Sequence, residues 1–598
     1  MTTTKRPGLF QPKTLAIAIA LGTCAQAHAV NFNIGEIEGQ FDSSLSLGAS
    51  WSTAKADQDY IGSANGGNAF TQTNDDGRLN FRRDKTFSKI FKGIHDLELK
   101  YGDTGVFLRG KYWYDFELKD ESRELMDIDD SHAKMGAKSS GYQLLDAFVY
   151  HNYAIADQPG SVRLGKQVVS WGESTFIQNG INSINPVDVS AFRRPGAEVK
   201  EGLIPVNMFY LSQTITENLS AEAFYQIEWD QTVVDNCGTF FSSTDVLQEG
   251  CNDNYRILDA TTVEALNAPG TKALLASLGV DVNSQGLAVP RIGDRDPKDS
   301  GQWGAALRWQ GDETEYGAYF MNYHARTPFL GLQNGSADDI TAALTTAGGA
   351  LAQPILLGTG KYYFEYPEDI RLYGLSFSTT LPTGTAWSGE ISYRPNMPIQ
   401  INTNDMTPLV ATSVAGAFAG AGGGLAGFLA ALGQADIDHT GYNRKEVTQV
   451  QTTFTHFFDQ VMGADRLTLV GEVGANSIGG LGDVDDIRYG RDSTFGNLEQ
   501  GGRHGYYTRT SWGYRARAIW DYSDAFAGVN LKPNVSWSHD VDGYGPNFNE
   551  GAKAASIGLD AEYRNTYTAG ISYTNFFGGD YNVLTDRDFL ALSVGVNF

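Results

Sequence analysis

Residues 165–202 carry the densest run of side chains in the chain that could act on a solute. The run opens Gly165-Lys166-Gln167-Val168-Val169-Ser170-Trp171-Gly172-Glu173-Ser174 and passes through Asn182 and Asn185-Pro186-Val187-Asp188. It closes on Arg193-Arg194-Pro195-Gly196-Ala197-Glu198-Val199-Lys200-Glu201-Gly202. Opposite charges this crowded do not make an idle linker, because they can hold a loop inward against a wall by charge-assisted hydrogen bonds. Glu173, Asp188, Arg193, Arg194, Glu198 and Lys200 are the candidates for a constriction, facing Arg509, Arg515 and Arg517 far down the chain. Acidic and basic groups set opposite one another across a passage create a transverse field that orders water and admits polar solutes. The competing use is local: Arg193, Arg194, Glu198 and Lys200 could pair only to hold the loop's own shape, since structural ion-pair networks imitate functional ones.

Catalytic chemistry has weaker support. Ser538-His539-Asp540 has the residue types of a hydrolytic triad, but neighbours on a strand point to opposite faces and cannot assemble one among themselves. No Gly-x-Ser-x-Gly elbow, His-Glu-x-x-His pair or P-loop occurs. His95, His151, His324 and His456 stand apart without an evident partner. No enzyme, cofactor or metal site is therefore expected. Cys237 and Cys251 lie in one polar stretch and read as a loop-stapling disulfide. A closed loop of about 15 residues is worth roughly 3 kcal/mol on the chain-entropy account.

The elements that must position these residues are legible from alternation. At the end of the chain Leu590, Leu592, Val594, Val596 and Phe598 occupy one face of a strand, and Ala591, Ser593, Gly595 and Asn597 the other. Trp303, Ala305, Leu307 and Trp309 alternate with Gln302, Gly304, Ala306 and Arg308. Trp512, Tyr514, Ala516, Ala518 and Trp520 oppose Arg509, Ser511, Gly513, Arg515 and Arg517, and Tyr567, Ala569, Ile571 and Tyr573 oppose Thr568, Gly570 and Ser572. Apolar-out, polar-in strands with aromatic ends are the pattern of a transmembrane β-barrel. The fold class is all-β, an antiparallel barrel.

Strand number follows from the connections. Tight turns are expected near Gly102-Asp103-Thr104-Gly105, Asp157-Gln158-Pro159-Gly160, Thr216-Glu217-Asn218, Gly311-Asp312-Glu313-Thr314, Pro382-Thr383-Gly384-Thr385, Gly463-Ala464-Asp465, Asp524-Ala525 and Asn565-Thr566. Nine longer connections alternate with these eight. Seventeen connections predict about 18 strands, with 16 as the alternative, and place both termini on the side of the short turns. The charge-dense run is then the third long loop. Large insertions fall at residues 230–300, 326–368 and 395–446. Within the last, residues 408–433 are rich in Ala and Gly with Phe418, Leu425, Phe428 and Leu429 among them. That segment suits a helical lid, a surface that collects apolar solutes, or a loop helix packed on its neighbours.

Lys5, Arg6 and Lys13, the apolar residues 15–21, and Ala27-His28-Ala29 compose a signal peptide spanning 1–29, so the mature chain is expected to run as a single barrel over 30–598. Lipidation at Cys24 is disfavoured by Thr23 before it. Mean hydropathy is −0.29. Glycine (69), tyrosine (29) and phenylalanine (32) are abundant and no apolar run is long enough for a membrane helix, which fits strands rather than helices crossing a membrane. A formal charge of −25 excludes nucleic acid as a partner. Acidic loops could bind divalent cations or simply stay solvated.

The start Phe32-Asn33-Ile34-Gly35-Glu36-Ile37-Glu38-Gly39, the Trp-Gly-Glu-Ser stretch, the Arg-Arg-Pro-Gly-Ala-Glu segment and Tyr373-Gly374-Leu375-Ser376-Phe377 resemble an uncharacterised family of Gram-negative outer-membrane proteins, domain of unknown function 1302. The similarity covers essentially the whole mature chain and brings no functional residues with it. It implies a barrel, and a role in moving apolar compounds, because relatives are associated with hydrophobic-substrate catabolism and export pumps. The terminal Phe598 with its alternating apolar residues also resembles the signal read by the barrel-assembly machinery. The leading expectation is an outer-membrane channel, porin-like, for diffusion or uptake of small hydrophobic or amphipathic organic compounds. A structural or adhesive surface barrel is second, and an outer-membrane lipase third. Expected partners are outer-membrane lipid and lipopolysaccharide, the assembly machinery and a small organic solute.

Overall fold

The computed structural model describes residues 30–252, 254–496 and 504–598, with backbone alone at 347 and 348. The expected leader 1–29 with its cleavage site and Cys24 lies outside the described residues. Eighteen antiparallel strands close one sheet on itself. In order they are Ile37–Ser52, Thr86–Tyr101, Thr104–Asp115, Ser140–Ile155, Gln158–Gln167, Val206–Thr216, Leu219–Gln226, Trp303–Gln310, Thr314–Tyr323, Ile370–Thr380, Ala386–Gln400, Tyr442–Asp459, Arg466–Ile478, Thr510–Phe526, Val529–Asp542, Lys553–Tyr563, Tyr567–Phe577 and Phe589–Asn597. Each pairs with the next in sequence, and the last closes on the first with Leu592 opposite Ala49 and Val594 opposite Leu47. Beyond that ladder Phe598 N–H donates to Ser43 O at 2.9 Å and Ser43 N–H to Phe598 O at 2.6 Å. A short strand, Val30–Ile34, folds back on the start of the first barrel strand.

Closure answers the membrane's central demand, that every backbone polar group within hydrocarbon be paired internally. Leu307, Trp309, Leu375, Val450, Val535, Ile571, Leu592 and Val594 stand exposed on the outside of the barrel, at alternate positions of their strands. Trp309 stacks on Tyr316 across the 311–313 turn, with ring centroids 5.6 Å apart, in the position of an aromatic girdle.

The eight tight turns fall at one end and the nine long connections at the other. Ala156 and Asp157, at φ +50° and +63°, give the left-handed pair that suits the twist of a two-residue hairpin. The turn expected at Asp524-Ala525 is displaced, and the one expected at 157–160 starts one step upstream, at Ala156. Asp524 and Ala525 form a bulge, with Tyr522 opposite Leu531 and Phe526 opposite Val529, and the turn itself is Ala527-Gly528. The Asp524 side chain accepts from Gly528 N–H at 2.7 Å, so it braces the turn from one step upstream.

The three large insertions do not behave as separate loops. Residues 227–302, 324–369 and 401–441 fold together into an extracellular cap with its own core, which includes Val246, Leu275, Leu332, Ile340, Ile355, Tyr362, Val410 and Val414. In the Ala- and Gly-rich segment, helices Leu409–Gly420 and Gly424–Leu432 pack into that core through Val410, Val414 and Ala431. This is the packed-helix arrangement, with an apolar tip left outside: Leu425 is 76% and Leu429 59% exposed.

Candidate functional site

The loop 168–205, third of the long connections, leaves the wall at Gln167 and folds into the lumen. Its two ends are tied together by Asn185, whose side-chain amide donates to Gln167 O (3.1 Å) and Ile204 O (3.0 Å) while its carbonyl accepts from Val169 N–H (2.9 Å). From there the loop makes two excursions.

The first, over residues 171–183, lies against the inner wall of the strands between Val206 and Ile478. Trp171 is buried against Phe224 and Tyr319, and its indole N–H donates to Glu222 at 2.7 Å. Two wall carboxylates then take the loop's backbone amides. Glu390 accepts from Glu173 N–H (2.6 Å) and Ile181 N–H (2.9 Å). Glu472 accepts from Thr175 (2.9 Å), Phe176 (2.6 Å) and Ile177 (2.7 Å) N–H. Arg394, also buried, donates to Gly180 O at 2.7 Å. A carboxylate that receives two or three N–H groups is a strong anchor, because both the anion and the otherwise orphaned amides are satisfied. Space for the loop comes from wall glycines. A Cβ at Gly304, Gly374 or Gly474 would stand 2.9, 2.7 or 2.8 Å from the side chains of Trp171, Ile181 and Ile177 respectively.

The second excursion, residues 186–202, crosses to the first strands. Lys111 on strand Thr104–Asp115 donates to Asp188 (3.0 Å) and Glu201 O (2.9 Å), and Lys92 on strand Thr86–Tyr101 to Glu201 (2.6 Å) and Gly196 O (2.6 Å). All four side chains are buried. Pro195 and Gly196 come so close to the wall that a Cβ on Gly48 would stand 2.7 Å from Pro195, and one on Gly196 2.9 Å from Ser593.

What the loop leaves bare is the inner face of the strands from Thr510 to Phe577. The registers Arg517–Ser536, Ser536–Ser556, Ser556–Thr574, and Asn534–Gly558 with Gly558–Ser572, put small polar side chains along the middle of that face, beside Arg515 and Arg517. A cavity of about 270 Å³ lies between it and the loop, lined by Phe176 from the loop and Arg515, Arg517, Ser536, Ser538, Ala554 and Ser556 from the wall. Arg515 is paired to Asp540 at 2.6 Å. Arg517 has no ion pair with a described residue, and its Nε is buried without a hydrogen-bond partner among them. Lower in the lumen a second space of about 370 Å³ is bordered by Asp42, Ser44, Asp96, Glu198, Lys200 and Arg564.

A third, larger cavity of about 640 Å³ sits in the cap, where five loops meet. Phe70, Val246, Tyr255, Ile257, Leu258, Leu330, Leu357, Phe364 and Pro408 give it apolar walls, and Ser63, Asn68, Thr71, Asn404 and Ser493 a polar edge.

The profile of a family described as a protein of unknown function (DUF1302) matches residues 11–598. The chain belongs to this family. No curated protein matches it. Among solved structures, Acinetobacter baumannii OccAB1 aligns over 96% of this chain and 98% of its own, at 10% identity and a TM-score of 0.38. Pseudomonas aeruginosa OpdK, solved with vanillate, aligns over 93% and 98% at 8% identity and a TM-score of 0.38. The outer-membrane channel DcaP of Acinetobacter baumannii aligns over 95% and 100% at 8% and 0.35. None of these comparisons bears on an individual residue of the lumen.

In this DUF1302 chain the expected constriction residues are dispersed rather than ringed. Asp188 is a buried cap, accepting from Ala191 N–H at 2.9 Å as well as pairing with Lys111. Arg193 pairs with Asp235 of the fourth loop at 3.1 Å, and Arg194 lies 4.4 Å over the Trp113 ring and donates to Gly136 O. Only Glu198 and Lys200 pair within the loop itself, at 3.0 Å. Glu173 lies close to Arg308, and burial pushes its carboxyl pKa up. Arg515 and Arg517 do line the lumen. Arg509 does not join them, because Thr508 N–H is drawn to Tyr544 O and the strand begins only at Thr510, leaving Arg509 exposed at the rim. Ser538 faces the lumen and Asp540 is taken up by Arg515, while His539 packs on Tyr514 on the opposite face, so the triad residue types stay apart. Cys237 and Cys251 are close, Cα to Cα 6.1 Å. Glu390, Glu472, Lys92 and Lys111 were not singled out in the sequence. Their signal was available, since each is a charged residue on the inward face of a strand and needs a partner there.

Proposed function

We propose that the protein is a diffusion channel of the Gram-negative outer membrane that takes up small amphipathic organic compounds. The reading rests above all on the loop 168–205. Anchored across the lumen, it fills one side and leaves a passage along a wall of serine, threonine and glycine with the guanidinium of Arg517 beside it. Such a wall hydrogen-bonds a polar or anionic group in transit without binding it tightly, and conduction requires both entry and release. The cap cavity supplies the complementary property, an apolar chamber with a polar edge where the apolar part of a solute can leave water before it meets the lumen. In the same reading Cys237 and Cys251 are joined as a disulfide after export, lipid and lipopolysaccharide surround the barrel, and Leu590, Leu592, Val594, Val596 and Phe598 are the residues offered to the assembly machinery.

The purified protein in planar lipid bilayers is expected to give discrete conductance steps, and liposomes containing it to take up a labelled amphipathic solute faster than liposomes without it. A barrel that is electrically silent and adds nothing to uptake would overturn the proposal.

A further inference from the structure

Beside the cap cavity, at the junction of the first and fourth long loops, four carboxylates are buried together. Asp75 is 0%, Asp76 7% and Asp245 0% exposed, and one carboxyl oxygen from each lies within 4.8 Å of those of the other two. Asp586 is equally enclosed. Among the described residues, two cationic side chains are buried with them, Arg78 and Arg587. Arg78 is committed to both oxygens of Asp586, at 2.9 and 3.2 Å, and to Asn74 O at 2.6 Å. Arg587 lies 3.7 Å from Asp586. None of the three clustered aspartates makes an ion pair with a described residue. Ionised, four carboxylates against two guanidinium groups would leave two negative charges in a sealed site, where uncompensated charge is costly.

Asp245 Oδ1 accepts from Ser242 (2.8 Å) and Gly238 N–H (3.3 Å), and Asp76 Oδ2 from Asn254 (2.8 Å), but Asp75 keeps an oxygen that points to a ligand. Asp75 stands at the N-cap of helix Asp76–Asn80 but makes no capping bond. Its Oδ2 accepts from Gly62 N–H (2.8 Å) and Asn65 (2.9 Å), while its Oδ1 is buried with no donor among the described residues. Gln72 Oε1 and Asn74 Oδ1, on the same segment, are buried acceptors without a donor as well. Three orphaned oxygens within four residues are rare where nearly all buried polar atoms find partners.

We propose that Asp75, Asp76 and Asp245 hold a divalent cation, calcium by ligand type and span, that staples the first long loop to the fourth. Calcium takes six to eight oxygens, carboxylate and amide carbonyl alike, in loose geometry at about 2.3–2.6 Å, so two of its ligand oxygens can stand up to about 4.8 Å apart. Two positive charges match the deficit. The loops it joins start from the first and seventh barrel strands, a third of the circumference apart, and already meet through Asp245 N–H donating to Thr73 O at 2.7 Å and Asp76 N–H to Asp245 at 3.1 Å. Thr73, Thr244 and Val246, within two residues of the ligands in sequence, line the 640 Å³ cavity. The ion therefore fixes one wall of the cap chamber.

The test uses full-length protein in detergent, dialysed against EDTA and titrated with calcium chloride alone in a calorimeter, with trypsin cleavage of the cap loops followed in parallel. One site per chain is expected, with a dissociation constant on the order of 10–1000 µM, and calcium should slow cleavage of the first and fourth loops. Asp76→Asn should weaken binding at least tenfold and abolish the protection, while Asp483→Asn, an exposed loop residue, should bind as the unaltered chain does. Heat-modifiable mobility on gels confirms that each variant retains its barrel. Absence of calcium-dependent heat, equal cleavage with and without calcium, or equal weakening by Asp76→Asn and Asp483→Asn would each overturn the proposal. None of these readouts depends on solute transport, so failure here leaves the channel reading standing.

Discussion

Two stretches of the same barrel wall, built on one alternating pattern, end as different environments. On the strands from Val206 to Ile478 the inward residues, among them Met208, Phe224, Tyr319, Leu372, Glu390, Ser392, Gln451 and Glu472, are buried beneath the loop 168–205. From Thr510 to Phe577 the inward Ser536, Ser538, Ser556, Gly558, Ser572 and Thr574 stay half-exposed. The covered wall carries large apolar side chains and carboxylates, which need burial or partners, with glycines placed where the loop must sit deep. Along its middle the open wall carries serine, threonine and glycine beside Arg515 and Arg517, groups that are comfortable against water. A lumen can thus be divided into a covered and an open wall by residue size and charge, without any change in fold.

Removing the anchors should erase the difference. Glu390→Ala with Glu472→Ala leaves five loop amides without acceptors and frees the first excursion, so single-channel conductance should rise several-fold. An unchanged conductance would mean the apolar contacts of Trp171, Ile177 and Ile181 hold the loop alone. Breaking the second excursion tests its stability contribution: Lys92→Met strands a buried Glu201 and should lower unfolding stability by about 3–5 kcal/mol. The double variant Lys92→Met/Glu201→Met should recover most of that loss in urea titrations of the folded barrel.

A matched pair sharpens the contrast between the walls. Gly374→Leu drives side-chain atoms into Ile181 and should destabilise by about 1–3 kcal/mol. Ser556→Leu on the open wall should stay within about 0.5 kcal/mol yet reduce conductance. The smallest effect is expected at Arg517→Gln, which should leave stability and conductance nearly unchanged while moving the reversal potential in a salt gradient toward cation preference.

The strand count was open to reading because each of its signals is local. Eight turns are short, and alternation in Leu590 to Phe598 or Trp303 to Trp309 needs no knowledge of the rest of the chain. The inward fold of the third loop was legible from its charge density, but the means of holding it was not. Backbone amides of Thr175, Phe176 and Ile177 donate to Glu472 nearly 300 residues away, and an amide N–H leaves no mark in a sequence. The side chains that drew attention were mostly recruited elsewhere: Arg193 to the fourth loop, Arg194 to Trp113, Asp188 to Lys111. Likewise the Ala- and Gly-rich helices declared themselves, whereas their partners in the cap core come from two other insertions.

Whether solutes pass along the open wall can be read from thiol modification during bilayer recording. A charged methanethiosulfonate reagent is added to channels carrying Ser556→Cys or, on the covered wall, Ser392→Cys, with the unaltered protein as control. A stepwise fall in current is expected for Ser556→Cys and none for Ser392→Cys. Equal block of both variants, or block of Ser392→Cys alone, would contradict passage along the open wall.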